Sequence, residues 1–242
     1  MATNVKTTIA GQLNAARLAI SNTLADDELR DLVAAYGYTE GKLEAGKRLY
    51  EAAVTAVNAQ AAAVGTQRQA TAQARAAEQQ ARANYQALAQ VARAVFQRDA
   101  AHCTALGLVG SMPQSTPAFL AAADILFENA LTVPAIKAEL ANYGYDAQRL
   151  GQERVAITAF DQAYQTQVAA MGAAQQATRE RRAALTALNR WVAQYLKIAR
   201  IALRGKPELI EKLGGVARSS KTAAQRAAPK KAAATRSAKL VE

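Results

Sequence analysis

One cysteine (Cys103), one histidine (His102) and one tryptophan (Trp191) stand in 242 residues. A single thiol closes no disulfide within the chain, and one Cys with one His cannot assemble the usual zinc cluster. Aromatic residues are only 5% of the chain, and it holds 13 Gly and 5 Pro. Scarce aromatic and β-branched residues argue against a β-rich domain. No apolar run is long enough for a membrane-spanning helix, so none is expected. Thr7, Thr8, Gln12 and Asn14 interrupt the opening segment 1–20, which therefore does not read as a signal peptide. Neither a phosphate-loop nor a dinucleotide-binding glycine motif is present. With one Cys and no targeting segment, the expected location is cytoplasmic.

What remains is helix-forming. The chain has 62 Ala, and Gln, Arg, Leu and Glu supply much of the rest. Its two halves align without a gap at one constant offset. Tyr36-Gly37-Tyr38 falls on Tyr143-Gly144-Tyr145, Gln69-Ala70-Thr71 on Gln176-Ala177-Thr178, and Leu106-Gly107 on Leu213-Gly214. Alanine richness produces chance Ala matches, but not these three strings in the same register. The organisation expected is a repeat unit at 1–107, a second at 108–215 forming one joint domain with it, and a tail at 216–242.

Each unit opens with a short amphipathic segment (24–35, 131–142) and turns at Tyr-Gly-Tyr, where both tyrosines are expected to pin that segment to the next helix. Thr39 and Asp146 then stand as N-caps. Long helical stretches follow, to about Ala101 and about Leu203, and a Leu-Gly pair ends each unit with a glycine suited to a left-handed cap. The connection 110–117 holds two prolines and two serines, with Thr116 expected as the cap of the helix that Pro117 begins.

The long stretches carry a seven-residue pattern over eight heptads. Leu43, Tyr50, Val57, Val64, Thr71, Glu78, Tyr85 and Ala92 are seven apart, as are Leu150, Ile157, Tyr164, Met171, Thr178, Leu185, Val192 and Ala199. The positions three residues on include Gln60, Gln67, Gln167 and Arg181, so the seam is polar or small in its middle. The expected fold is all-α: a duplicated, pseudo-twofold helical unit. Its two long heptad-bearing helices pack as an antiparallel coiled coil or elongated bundle, with short flanking helices and a disordered basic tail. Unbroken, each long stretch would be a rod of roughly 90 Å. Broken at Gly65 and Gly172, the stretches would instead make a compact four-helix bundle. A middle of Ala and Gln buries little apolar surface, so it is either thinly stabilised or sheathed by the short segments 5–22 and 118–142 or by a second copy of the chain, and a homo-oligomer is expected.

The catalytic inventory is poor, and no catalytic, cofactor or metal residues are assigned. His102 lacks the Glu-x-x-His pairing of di-iron bundles, since Asp99 stands three before it. Next to Cys103 in sequence, it cannot face that thiol on a helix. The pair reads as a helix end. Asp26, Asp27, Glu28 and Asp31 read as the acidic first turn of a helix.

Charge carries the most specific hint. The net charge is +11. The segment 179–206 holds Arg179, Arg181, Arg182, Arg190, Lys197, Arg200, Arg204 and Lys206 against Glu180 alone, with Arg190, Lys197 and Arg204 seven apart opposite the seam. The matching positions of the first half are Ala83, Gln90 and Gln97, so the basic stripe is not inherited from the repeat. The tail 216–242 adds Arg218, Lys221, Arg226, Lys230, Lys231, Arg236 and Lys239 against one Glu. Its apolar content is almost all Ala, which builds no core. The run AAPKKAAATR is similar to the Lys/Ala/Pro tails of linker histones and some bacterial nucleoid proteins. That resemblance implies neutralisation of phosphates without reading of bases. Two functions follow as expectations. One is a non-enzymatic structural or scaffolding protein that self-associates or docks partner helices. The alternative is a sequence-independent nucleic-acid binder using the tail and the stripe. No small-molecule substrate is evident.

Overall fold

The computed structural model describes residues 8–214, which hold eight helices and no strand. They are α1 (Ile9–Ala25), α2 (Asp27–Ala34), α3 (Glu40–Val95), α4 (Ala100–Ala105), α5 (Thr116–Thr132), α6 (Pro134–Ala141), α7 (Ala147–Ala202) and α8 (Pro207–Lys212). The protein is thus all-α with two long packed helices, α3 and α7, of 56 residues each. Each of the first four helices has a counterpart of equal length among the last four, in the same order and at one constant offset. The tail 216–242 lies outside the described residues.

Local chemistry sets these boundaries. Thr8, Asp26, Asp99 and Asp146 accept hydrogen bonds from the backbone amides of Gly11, Leu29, His102 and Arg149, each three residues on, which satisfies donors that the helix leaves free. Asp26, in extended conformation, breaks the chain between α1 and α2. Val133, extended before Pro134, does so between α5 and α6. At the two Tyr-Gly-Tyr turns Gly37 and Gly144 have φ of 83° and 80°. The amides of Tyr38 and Tyr145 donate to the carbonyls of Val33 and Leu140 at 3.1 Å. This is a C-terminal cap that needs a left-handed residue.

Four expectations are corrected. Neither Gly65 nor Gly172 breaks its helix, so the reading as two hairpins fails; one glycine in a long Ala-rich helix costs only about 1 kcal/mol. The first long helix ends at Val95 rather than near Ala101, because Asp99 caps a new helix, α4. Ser115, not Thr116, occupies the cap position of α5, and it makes no side-chain cap bond. Only the second tyrosine of each turn is pinned. Tyr38 and Tyr145 are buried, whereas Tyr36 and Tyr143 are 52% and 57% exposed, because the residue after the left-handed glycine is the one that folds back on the helix.

The chain clusters into two compact units, each drawing on both halves of the sequence. The first is drawn from Met1–Thr55 and Arg182–Glu242, the second is Ala56–Arg181. In the first, Leu29, Val33, Tyr38 and Leu43 pack with Tyr195, Ala199, Leu203, Leu209 and Leu213. In the second, Tyr85, Phe119, Phe127 and Phe160 centre a larger core with Leu88, Leu126, Ile136, Leu140 and Leu150. Within each unit the long helices run antiparallel. Gly46 meets Trp191 in the first; Thr71 meets Gln167 and Asn84 the carbonyl of Glu153 in the second.

The seven-residue seam is buried or half-buried along its length with one exception, Met171, at 41% exposure. Ala170 and Ala177, flanking the seam position Ala174, turn inward there instead, as the drift of a 3.6-residue helix against a strict heptad brings about. No single helix among the described residues is long and apolar enough to cross a membrane. Helices α5 and α6 reach that hydropathy only as a pair bent by 86°, and their apolar side chains Phe119, Phe127, Ile136 and Leu140 are core.

Candidate nucleic-acid interface

The basic stripe lies on the part of α7 that belongs to the first unit. Arg182, Arg190, Lys197 and Arg200 are all exposed, and at about 100° per residue they fall within an arc of about 80°. They span about 27 Å along the helix. Arg204, also exposed, stands in the turn just after α7 ends. The stripe is held outward because Leu185, Leu188, Val192, Tyr195 and Ala199 occupy the opposite, buried side. Among the described residues none of the five cations makes an ion pair.

Other cations nearby are engaged. Lys206 pairs with Glu28, and Lys212 with Asp26 at 2.8 Å. These carboxylates raise the pKa of both lysines, chiefly through the side-chain hydrogen bond. Asp26 is lowered in turn, first by Lys212 and then by the amide of Leu29. Asp27 pairs with Arg30 at 2.6 Å. The acidic cluster 26–28 is therefore occupied by cations of its own unit.

In the second unit the counterpart positions, Arg75, Ala83, Gln90 and Arg93, are exposed as well, but only two of them are cations. Arg93, the counterpart of Arg200, donates to the carbonyls of Leu108 and Gly110 in the connection between the halves. Arg82 lies 4.4 Å over the Phe119 ring, binds Glu78 and donates to the carbonyls of Pro113 and Gln114. Charge divides accordingly. The segments of the first unit carry 20 basic and 10 acidic residues, or +10; Ala56–Arg181 carries 10 and 9, or +1.

Of the residues assigned from sequence, Arg190 and Lys197 share one exposed side of α7, and Arg204 is exposed in the turn that follows it. Arg218, Lys221, Arg226, Lys230, Lys231, Arg236 and Lys239 lie outside the described residues. Arg182 and Arg200 complete the stripe; plotting residues at about 100° each rather than in sevens finds them in the sequence. His102 pairs with Asp99, whose pKa is lowered first by the His102 amide and next by its ring. Cys103 is half-buried, its thiol 3.3 Å from the Phe96 carbonyl.

Sequence reasoning missed two features of the first unit. Trp191 stacks on Tyr195 with ring centres 5.3 Å apart, and Tyr38 meets both rings edge-on. The Tyr195 hydroxyl bonds Thr23, and burial pushes its pKa up to about 12. A groove of about 370 Å³ opens between α1 and α3. Trp191 and Tyr195 are neighbours on α7, but Tyr38, Thr23 and the two walls of the groove meet across long separations in sequence, which no local pattern marks.

No family model matches the chain, and neither a curated protein nor a solved structure does.

Proposed function

We propose that this chain is a non-enzymatic helical scaffold, cytoplasmic in location, whose first unit binds nucleic acid through the phosphate backbone without reading sequence. One observation carries the reading: five exposed cations, unpaired among the described residues, line one side of α7 and the turn after it. A stripe of about 27 Å matches about eight base steps at about 3.4 Å each. The +6 segment that follows in sequence supports it by adding cations without aromatic residues. Phosphate neutralisation is then favoured over base stacking. The test is fluorescence anisotropy with a duplex of about 30 base pairs and arbitrary sequence. A complex at about 50 mM salt that dissolves steeply by about 200 mM supports the proposal; no complex at about 50 mM ends it.

A second reading, self-association, is favoured by the middle of the long helices. Ala70, Ala74, Ala170, Ala174 and Ala177 fill it, and the Nε of Arg181 is buried there with no partner among the described residues. Small side chains gain little from burial, and a second copy laid over this stretch adds what they lack. Light scattering that gives a strict monomer at high concentration counts against it. We infer also that the two halves are copies of one ancestral element whose long helices zip as a coiled coil. The constant offset between matching helices supports that inference.

A further inference from the structure

We propose that the groove between α1 and α3 in the first unit binds a free straight-chain monocarboxylate, with the carboxylate against Lys47 and the alkyl chain along Ile20, Leu24 and Tyr50. The groove has a volume of about 370 Å³, and Arg17, Ser21, Ala25 and Glu51 complete its lining. Ile20 is buried beneath it, while Leu24 and Tyr50 are half-buried. The apolar part is thus formed but incompletely covered.

The counterpart residues of the second unit identify the occupant. In the register that sets Tyr36 on Tyr143, Ser21 and Lys47 fall on Glu128 and Arg154. Those two form an ion pair of 2.6 Å tying α5 to α7. Phe127, the counterpart of Ile20, is fully buried under them. In the second unit a large ring and a carboxylate are therefore built into the chain. In the first unit the ring has become a smaller aliphatic side chain and the carboxylate a serine. Lys47 remains half-exposed and, among the described residues, has only Glu44, at 3.9 Å, for an ion-pair partner. Arg17 replaces Asp124 at the same edge, so the substitutions favour an anion further. A ligand carboxylate takes the place of the missing Glu, and its chain takes that of the missing ring. From residue 17 to residue 25 α1 rises about 12 Å, the reach of an alkyl chain of about eight to ten carbons. Glu51 is the one carboxylate of the lining and lies one turn from Lys47 without pairing to it among the described residues. It opposes the anion.

The probe is decanoate, titrated calorimetrically into the full chain below its micelle concentration, with decanol as the uncharged control. Binding is expected, with decanol at least about tenfold weaker, since a charge-assisted contact is lost. Ser21→Glu supplies the internal carboxylate of the second unit and is expected to abolish binding while the helical circular dichroism stays unchanged. Lys47→Met is expected to weaken decanoate at least about tenfold and leave decanol unaffected. Glu51→Gln is expected to tighten decanoate. Absence of decanoate binding at millimolar concentration, equal affinity for acid and alcohol, or undiminished binding by a folded Ser21→Glu variant overturns the proposal.

Discussion

The indole of Trp191 lies directly against the backbone of Gly46: a β-carbon on Gly46 would come within 2.8 Å of Cε2, and nearer still to two other ring carbons. The ring cannot retreat freely, because Tyr195 stacks on it and Tyr38 meets its edge. Gly46→Ala therefore trades a helix-propensity gain of about 1 kcal/mol against an overpacking cost of about 1–3 kcal/mol. A net loss of about 1 kcal/mol is expected in urea unfolding, with a red shift of tryptophan emission as the ring is displaced. Unchanged stability together with unchanged emission would show the contact to be unimportant.

Gly65 and Gly172 make the opposite prediction. Both sit inside uninterrupted helices, with nothing within 4 Å of where a β-carbon would stand. Each Gly→Ala replacement is expected to stabilise by about 1 kcal/mol. Thermal unfolding of the single variants and of the pair, with gains that add, checks this.

Alkaline pH should weaken the first unit through Tyr195. Burial raises its pKa from 10 to about 12, with the bond to Thr23 opposing and Tyr38 adding to the rise. The folded state keeps the phenol neutral while the unfolded chain ionises. The contribution is therefore whole below pH 10 and lost as pH rises from 10 to about 12, for about 2–3 kcal/mol in total. Tyr38 of the same unit is raised by burial as well and steepens the fall, while Tyr85 and Tyr145, also raised by burial, bring the same dependence to the second unit. Urea unfolding at pH 9, 10 and 11 should show a shallower slope in Tyr195→Phe than in the natural chain. Equal slopes would contradict the assignment.

Salt dependence measures the proposed nucleic-acid face. Replacing Arg190, Lys197 and Arg200 together by Gln should lower the magnitude of the log–log slope of affinity against salt by about 2.7, at about 0.9 per phosphate contact. Exposed as these residues are, the triple variant should unfold at the same temperature as the natural chain. A slope that stays the same would place the contacts elsewhere, and deleting residues 216–242 would then show whether the tail supplies them.

Much of the architecture was legible in the chain itself. The constant register between the halves, the cap Asp146, the glycines of the Tyr-Gly-Tyr turns and the closing Gly107 and Gly214 are such signals. The cap and glycines are readable because a helix end must satisfy its own backbone within a few residues. The misreadings share a cause: Ser115 for Thr116 and Val95 for Ala101 are boundary shifts that neighbouring caps decide. For the candidate interface, Arg190, Lys197 and Arg204 were readable because a surface helix repeats its faces. Arg182 and Arg200 were hidden by the choice of seven as the spacing.

The sequence by itself determined the helical class, the turns at the two Tyr-Gly-Tyr strings, and the charge of α7, since each depends on residues within a turn or two of one another. Tertiary structure alone decided which stretches share a core, which tyrosine of each turn is buried, that Trp191 rests on Gly46, and that a groove opens beside Lys47 in the first unit while its counterpart Arg154 is tied to Glu128 in the second. Those outcomes depend on side-chain shape and charge meeting across long separations in the chain. Helical periodicity says which residues face inward, not which of them they will meet.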